Sequence, residues 1–252
     1  MIRLSGLTKQ YGSFTAVNRL DLDVPKGVLY GFLGPNGAGK TTTMRMIAGI
    51  LRPSSGVVEV AGIDLARDPI AAKQRMGYIP DRPFVYDKLT GIEVMRFVAA
   101  LYGQHGAVIE RRSDELLELF ELAPWKHELT ESYSHGMRQK LIIASALVHR
   151  PEVIVVDEPM VGLDPKSARL LKELFRAFVG RGGTVLMSTH TLEIAEGMCD
   201  RIAILQGGKL AAEGTMDDLR AQSEHGDSTL EQLFLRLTGG LVEHELTAVL
   251  DG

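Results

Sequence analysis

Residues 34–41, Gly-Pro-Asn-Gly-Ala-Gly-Lys-Thr, match the pattern G-x-x-x-x-G-K-[ST] and constrain the fold of this 252-residue chain more than any other feature. They follow an apolar run at 28–33 that predicts a buried strand, and they precede a segment that we expect to be helical. Glycines let a backbone curl around a phosphate with its amides pointing inward, whereas side chains would obstruct this path. The pattern therefore predicts a phosphate-binding loop between a strand and a helix.

Two side chains at the end of this loop carry the predicted phosphate chemistry. Lys40 offers a cation to the terminal phosphates of a nucleotide, and Thr41 offers a hydroxyl ligand to Mg²⁺. The helix that follows adds the positive end of its dipole. A chance glycine-rich turn would lack both flanking elements, so nucleotide binding is the favoured interpretation. The predicted contacts in this segment are Gly34, Pro35, Asn36, Gly37, Ala38, Gly39, Lys40, Thr41 and Thr42.

A second motif, Val-Ile-Val-Val-Asp-Glu-Pro at 153–159, places two acids at the end of an apolar run. The run predicts a buried strand, and Asp157 at its carboxyl end can reach Mg²⁺ because sheet ends face the ligand crevice. Glu158 is the candidate for polarising an attacking water. The alternative is a strand that ends in solvated acids before a proline. The phosphate loop elsewhere in the chain makes this alternative the weaker one.

The spacing of apolar residues predicts an α/β fold. Apolar and polar residues alternate through the first 30 positions and at 56–62, which predicts short strands. Later runs are almost wholly apolar and are separated by helical segments, as in a covered parallel sheet. These runs lie at 28–33, 153–156, 184–187 and 202–205. Gly207-Gly208 predicts the turn of a closing hairpin.

Between residues 90 and 150 the pattern becomes helical. Thr90 and Glu93 predict a capping box, and the apolar residues that follow at helical spacing predict a helix. These apolar residues are Val94, Phe97, Val98 and Leu101. Further helices are expected at about 113–122 and 137–149, and the signal returns from Ser228 up to Gly239-Gly240. We interpret 90–150 as a helical subdomain inserted into the nucleotide-binding core.

Composition indicates the compartment and the class of partner to expect. The formal net charge of -4 gives no basic footprint of the kind that nucleic-acid binding leaves. A single cysteine, Cys199, cannot form an internal disulfide, which suits a reducing cytoplasm. The N-terminus lacks the apolar core of a signal peptide, and no apolar stretch approaches the roughly 20 residues of a spanning helix. We therefore expect a soluble cytoplasmic chain that reaches the cytoplasmic face of the membrane only through a partner.

Together with these motifs, the segment Tyr-Ser-His-Gly-Met-Arg-Gln at 133–139 makes the chain resemble the ABC ATPase family over about residues 1–214. The usual family form is L-S-G-G-Q, so Ser134 and Gly136 are kept while His135 and Met137 depart from it. The resemblance implies that Ser134 and Gly136 contact the γ-phosphate bound by an opposing subunit. An ordinary serine helix cap is the alternative interpretation.

Three further positions are carried over by the resemblance. Asp164 lies in Val-Gly-Leu-Asp-Pro at 161–165, which resembles the D-loop of the family although Val161 stands where serine is usual. His190 ends a predicted strand and matches the histidine that senses the γ-phosphate. Tyr11 matches the aromatic residue that stacks on adenine, with packing inside a loop as the alternative.

Asp81 is the clearest departure from the family. In Met-Gly-Tyr-Ile-Pro-Asp at 76–81 the family usually has glutamine in the last position. Aspartate is a hard oxygen donor, so it can ligate Mg²⁺ directly or through water. The predicted metal ligands are thus Thr41, Asp157 and Asp81.

The family implies a P-loop NTPase of the RecA-like type. Its mainly parallel core sheet would carry an N-terminal antiparallel β subdomain and the inserted helical subdomain. We expect the ATPase domain to span 1–220 and a helical extension to span 221–252. Lys40, Glu158 and His190 are the predicted catalytic residues, with ATP and Mg²⁺ as cofactors.

The expected function is that of the ATP-binding subunit of an ABC transporter. Residues 133–139 and the tail Thr-Leu-Glu-Gln-Leu-Phe-Leu at 229–235 resemble ABC-2-type exporters, with the permease on a separate chain. A homodimer would be enough to form complete ATP sites, because this chain carries both the phosphate-loop half and the 133–139 half of such a site. The apolar segment 83–86 either receives the permease or packs into its own domain. The alternative function is a non-transport ABC ATPase acting on ribosomes or DNA, and no Asn-Lys-x-Asp motif supports a GTPase.

Overall fold

The computed structural model describes residues 1–221 and 229–239. Within these residues the strands form two sheets, one of four strands in the order β2-β1-β4-β5 and one of six in the order β10-β9-β3-β8-β7-β6. The strands are β1 Ile2–Tyr11, β2 Phe14–Val24, β3 Leu29–Leu33, β4 Ser55–Val60, β5 Ile63–Asp64, β6 Met76–Ile79, β7 Val153–Asp157, β8 Thr184–Thr189, β9 Arg201–Gln206 and β10 Lys209–Gly214.

Helices cover both faces of the six-stranded sheet, with 3₁₀ turns at Ala123–Trp125 and Thr130–Ser132. The α-helices are α1 Lys40–Ile47, α2 Pro69–Gln74, α3 Gly91–Leu101, α4 Ala107–Leu119, α5 His135–Leu147, α6 Pro165–Gly180, α7 Leu192–Met198, α8 Met216–Ala221 and α9 Leu230–Thr238. Within residues 1–221 and 229–239, every helix is too short or too polar to cross a membrane.

The six-stranded sheet confirms the predicted α/β fold. Strands β9, β3, β8, β7 and β6 run parallel, and β10 closes the sheet as an antiparallel edge. Alternate side chains along each strand enter two different apolar clusters, as the period of two requires. One cluster joins the sheet to α3, α4, α5 and α6, and the other joins it to α1 and the antiparallel sheet. Both faces are covered, which is why these strands are apolar throughout.

The predicted β-hairpin and the predicted capping box of Thr90 are confirmed. β9 and β10 turn at Gly207 and Gly208, which adopt positive φ values of 55° and 76°. The hydroxyl of Thr90 accepts a hydrogen bond from the Glu93 amide, and the Thr90 amide donates to the Glu93 carboxylate, so α3 begins as predicted. At α9 the tail helix begins after the capping box of Thr229 and ends at Gly239. Ser228 and Gly240, which the prediction included, lie outside the described residues.

One bound in the helical block was wrong. The helix predicted by the apolar spacing is present as α3, in which Phe97 and Leu101 are 39% and 69% exposed while Met95 and Ala99 are buried. The apolar stripe of α3 is broader than the buried one, and periodicity alone cannot separate the two. The second helix, α4, begins at 107 rather than 113, because the turn at Gly106 already starts it.

Candidate functional site

The loop between β3 and α1 follows a path that only glycine permits at its closest approach. Gly39 adopts a φ of 103°, and a β-carbon there would lie 2.5 Å from the carbonyl oxygen of Ala16. Gly34 is equally confined, since its β-carbon would lie 2.6 Å from the carbonyl oxygen of Leu205. The loop is therefore pressed against its neighbours at both of these glycines.

Lys40 is buried at the start of α1 and points back into this loop. Its Nζ donates to the carbonyl oxygens of Gly34 at 2.6 Å and Pro35 at 3.1 Å. Burial lowers the pKa of Lys40, while the carboxylates of Glu158 and Asp157 oppose this shift. The ammonium group is thus held at the loop centre beside two acids that come from another strand.

The carboxyl ends of three adjacent strands bring the predicted groups together. Leu33 at the end of β3 pairs with Thr189 of β8, and Ser188 of β8 pairs with Asp157 of β7. The phosphate loop, the two acids and His190 therefore leave the sheet at the same edge. This is the edge at which ligands bind in open α/β sheets.

Asp157 is fully buried at this edge and holds one unpaired oxygen. The hydroxyl of Ser188 donates to its Oδ1, whereas its Oδ2 has no hydrogen-bond partner. A buried carboxylate oxygen without a partner is costly unless another group binds it. This unpaired oxygen is suited to coordinate a cation.

Glu158 follows Asp157 and contacts His190 directly. His190 Nδ1 donates to Glu158 Oε1 across 2.8 Å, and the Glu158 amide donates to Ser188 Oγ across 3.2 Å. Because a carboxylate only accepts, the proton of the first bond lies on Nδ1. Glu158 adopts a positive φ of 50°, a rare conformation for a residue with a side chain. Such backbone strain persists where the surroundings impose it, and here the turn aims the carboxylate at His190.

Asp81 lies beside the guanidinium group of Arg45. Its Oδ1 is 3.9 Å from Arg45 Nη2, and Arg45 projects from α1, the helix that begins at the phosphate loop. Burial raises the pKa of the neighbouring Tyr78 to about 12, and the negative charge of Asp157 adds to this effect while Arg45 opposes it.

Ser134 caps α5 and lies apart from the phosphate loop of its own chain. Its Oγ accepts a hydrogen bond from the Met137 amide at 3.2 Å. The start of α5 contacts the segment 161–164 instead, since a β-carbon on Gly136 would lie 3.4 Å from the carbonyl oxygen of Gly162. Among the described residues, no hydrogen bond joins Ser134 or Gly136 to residues 34–41.

Asp164 and Tyr11 also have defined surroundings. Asp164 caps α6, where it accepts from the Ser167 amide at 3.0 Å and from the Ser167 hydroxyl at 2.6 Å. These hydrogen bonds, the side-chain one first, lower the pKa of Asp164 to about 2. Tyr11 ends β1 with half of its side chain exposed, and Lys9 Nζ lies 5.2 Å from its ring centroid. An exposed ring is free to stack on a planar ligand.

Sequence analysis missed Ser188 and Arg45. The hydroxyl of Ser188 links both acids, and the signal was present as a hydroxyl residue at the end of an apolar strand. Arg45 looked like an ordinary surface residue of an amphipathic helix. Its pairing with Asp81 depends on a loop about 36 residues later in the chain, so no local pattern reveals it.

The residues present fit a divalent cation and a nucleotide phosphate. The unpaired Asp157 Oδ2, the Thr41 hydroxyl at the start of α1 and the glycine loop supply oxygen ligands and amide donors. Within the described part of the chain, no three His, Cys, Asp or Glu side chains form a metal-binding group. Besides Asp157, the groups of this chain that could serve a cation here are the Thr41 hydroxyl and, directly or through water, the Asp81 carboxylate.

A phosphate loop and an Asp-Glu pair at one edge of a mainly parallel sheet define a P-loop nucleotide-binding fold. A profile of the ABC transporter family matches residues 17–161, more than half of the chain. The chain therefore belongs to the ABC transporter family.

The similar proteins agree with this assignment. The daunorubicin/doxorubicin resistance ATP-binding protein DrrA of Streptomyces peucetius is 41% identical over 220 residues, 87% of this chain and 67% of that protein. The probable multidrug ABC transporter ATP-binding protein YbhF of Escherichia coli is 38% identical over 240 residues, 94% of this chain. The chain spans 41% of the length of YbhF. The solved ATP-binding subunit of an ABC transporter superposes with a TM-score of 0.89 at 34% identity, covering 94% of this chain and 99% of that one.

Proposed function

We propose that this chain binds and hydrolyses ATP as the nucleotide-binding subunit of an exporter whose membrane-spanning part is a separate chain. The observation that carries the proposal is the convergence of Lys40, Asp157, Glu158 and His190 at one edge of the sheet. This edge offers a cation, a metal ligand and a candidate base around one phosphate-sized loop. The relatives named for multidrug transport and drug resistance support export as the direction.

In the proposed hydrolysis the loop amides and Lys40 bind the triphosphate. Lys40 now donates to two loop carbonyls, and it would exchange these for phosphate oxygens. Glu158 orients a water molecule and accepts its proton, while the Nδ1 proton of His190 holds the Glu158 carboxylate in place. When bound, Mg²⁺ neutralises phosphate charge, with Thr41, Asp157 and Asp81 as its proposed ligands. Asp81 would leave Arg45 to join them, directly or through water.

The proposed site is completed by a second copy of the chain. Ser134 and Gly136 lie at the start of α5 and have no hydrogen bond to the phosphate loop of their own chain among the described residues. The start of a helix is nevertheless a suitable site for an anion, because its amides and dipole favour negative charge. In a head-to-tail dimer these two residues would contact the nucleotide of the partner, with Asp164 at the same junction. ATP binding would close the dimer and hydrolysis would release it.

The proposed permease contact lies on an exposed aromatic cluster. Phe84 is 74% exposed and packs edge-on against Tyr86, which in turn packs edge-on against Phe97 of α3. The ring centroids of these two pairs are 5.7 Å and 5.3 Å apart. Exposed apolar patches of this kind mark sites for partner proteins. The cluster joins the loop of Asp81 to the helical block, so a permease helix bound there would contact both.

Co-purification from native membranes tests this role. The chain should be recovered with a polytopic membrane protein, and replacing Phe84 and Tyr86 with serine should abolish this recovery. The matched control replaces the exposed Ile70 of α2 with serine, which should leave the complex intact. Recovery with ribosomes or DNA in place of a membrane protein would contradict transport and would favour the non-transport alternative.

A further inference from the structure

A cluster of cationic side chains lies at the edge of the sheet opposite to the phosphate loop. Lys26, Arg181 and Arg150 each stand three residues before a strand, namely β3, β8 and β7. These strands are neighbours in the order β3-β8-β7, so the three cations meet at their amino ends. The same three strands carry the nucleotide site at their carboxyl ends.

A fourth cation comes from the helical block. Arg112 of α4 reaches the same place, where its Nη2 donates weakly to the carbonyl oxygen of Leu147 across 3.5 Å. Its Nε is buried and has no hydrogen-bond partner. A buried donor without an acceptor is costly, and an anion in this place would satisfy it.

These four residues line one cavity of about 360 Å³, at the small end of the volumes of ligand sites. Gly182 forms part of the wall with a φ of 86°, and a β-carbon there would lie 3.9 Å from Lys26 Cε. The bare turn keeps that side of the cavity open to a ligand. Leu147 and Phe178 complete an apolar part of the wall.

No ion pair among residues 1–221 and 229–239 neutralises the four cations of the cavity. In the part of the chain that the structure describes, none of Lys26, Arg112, Arg150 and Arg181 forms a salt bridge. Glu152 also lines the cavity, but its carboxylate pairs with Arg75. Burial lowers the pKa of Arg112, and the charges of Arg150 and Arg181 lower it further, while Glu115 opposes them. The neighbouring arginines repel one another, and a bound anion would reduce this repulsion.

We infer that this cavity, defined by Lys26, Arg112, Arg150 and Arg181, binds a multiply charged anion that bears phosphate groups. Four cations from four segments surround it, and arginine forks match the geometry of phosphate oxygens. The anion is either free in solution or the headgroup of a lipid, and the two sources share this chemistry. The site is separate from the nucleotide site and does not depend on the proposed hydrolysis.

Calorimetry with inorganic pyrophosphate on the full chain, in buffer without divalent metal, tests the inference. The wild type should bind two pyrophosphates, one at the phosphate loop and one in the basic cavity. The Lys40→Ala variant should lose the first, and the double variant Arg112→Gln, Arg181→Gln should lose the second. The inference is contradicted when the double variant binds as many pyrophosphates as the wild type and also binds anionic vesicles as the wild type does.

The control removes equal charge elsewhere. Arg67 and Arg169 are exposed and lie outside the cavity, so Arg67→Gln, Arg169→Gln should keep both pyrophosphates. The single variant Arg150→Gln changes an exposed side chain and guards against misfolding of the double variant; it should weaken the second site at least ~5-fold by removing one charge contact. Retention of wild-type affinity in Arg150→Gln would count against the inference.

Vesicles distinguish the two sources of phosphate. Binding to phosphatidylcholine vesicles that contain phosphatidic acid, lost in the cavity double variant and kept in its control, assigns a lipid headgroup. Pyrophosphate binding without vesicle binding assigns a free anion. Absence of both overturns the site.

Discussion

His190 Nδ1 donates a hydrogen bond to Glu158 Oε1 across 2.8 Å, joining the ends of β8 and β7. The Glu158 carboxylate is mostly buried, whereas the His190 ring is largely exposed. The imidazole therefore fixes the acid from the solvent side of the site. This contact, rather than either residue alone, is the feature on which the proposed hydrolysis depends.

Replacing His190 with alanine should release the Glu158 carboxylate and lower ATP turnover by roughly 10²-fold, the size of a positioned acid-base contribution. ATP affinity should stay near wild type because the phosphate loop is untouched. Steady-state hydrolysis and equilibrium binding of a nucleotide measure the two effects. The control His127→Ala changes an exposed histidine outside the site. Unchanged turnover in His190→Ala would remove the positioning role.

Ser188→Ala should destabilise the fold by about 1–3 kcal/mol, because Asp157 would keep a buried carboxylate without its hydroxyl donor. Unfolding in urea measures the loss. Ser145→Ala is the matched control, since the hydroxyl of Ser145 is buried but bonds only to the carbonyl of Ile142 in its own helix. Equal losses in the two variants would show that the hydrogen bond to Asp157 stabilises the fold no more than the hydrogen bond of Ser145 does.

Asp164 offers a way to separate a helix cap from a nucleotide contact. Asparagine also caps helices well, so Asp164→Asn should keep the unfolding free energy, whereas Asp164→Ala should lower it. If Asp164 also serves the nucleotide junction, Asp164→Asn should lower ATP turnover while stability is unchanged. Full turnover in Asp164→Asn would restrict this residue to capping.

His149 predicts a pH dependence of stability. It is 4% exposed, its Nε2 donates to the carbonyl oxygen of Met76 at 3.1 Å, and its ring stacks on Tyr102 with centroids 3.6 Å apart. Burial lowers the pKa of His149 from 6.5 to about 4, although the hydrogen bond to Met76 opposes the shift. The folded state therefore favours the neutral imidazole of His149. Its contribution to stability is complete above pH 6.5 and is lost as the pH falls toward 4.

The loss amounts to roughly 3 kcal/mol over that range, because the unfolded state takes up the proton first. Urea unfolding at a series of pH values measures it. His149→Gln should flatten this part of the stability profile, while His127→Gln should not. An unchanged slope in His149→Gln would show that another group titrates there.

Sequence and structure agree where a local pattern determines the backbone. The glycine loop, the apolar strands and the Thr90 capping box depend on neighbours in the chain, so their residues predict them directly. The exposure of Phe97 and Leu101 could not be predicted, because a helical stripe does not show how much of it is covered. The links of Arg45 to Asp81 and of Ser188 to Asp157 join distant segments, and only the sheet order reveals them.

The ATPase assay of Glu158→Gln tests the central claim most directly. Glutamine keeps the size of the side chain and an oxygen that accepts from His190, but it cannot take a proton from water. The account predicts that hydrolysis falls by ~10²-fold or more, that ATP still binds, and that the variant runs as an ATP-dependent dimer in sizing chromatography. Turnover equal to wild type would contradict the role of Glu158, and a monomer under saturating ATP would contradict the shared site.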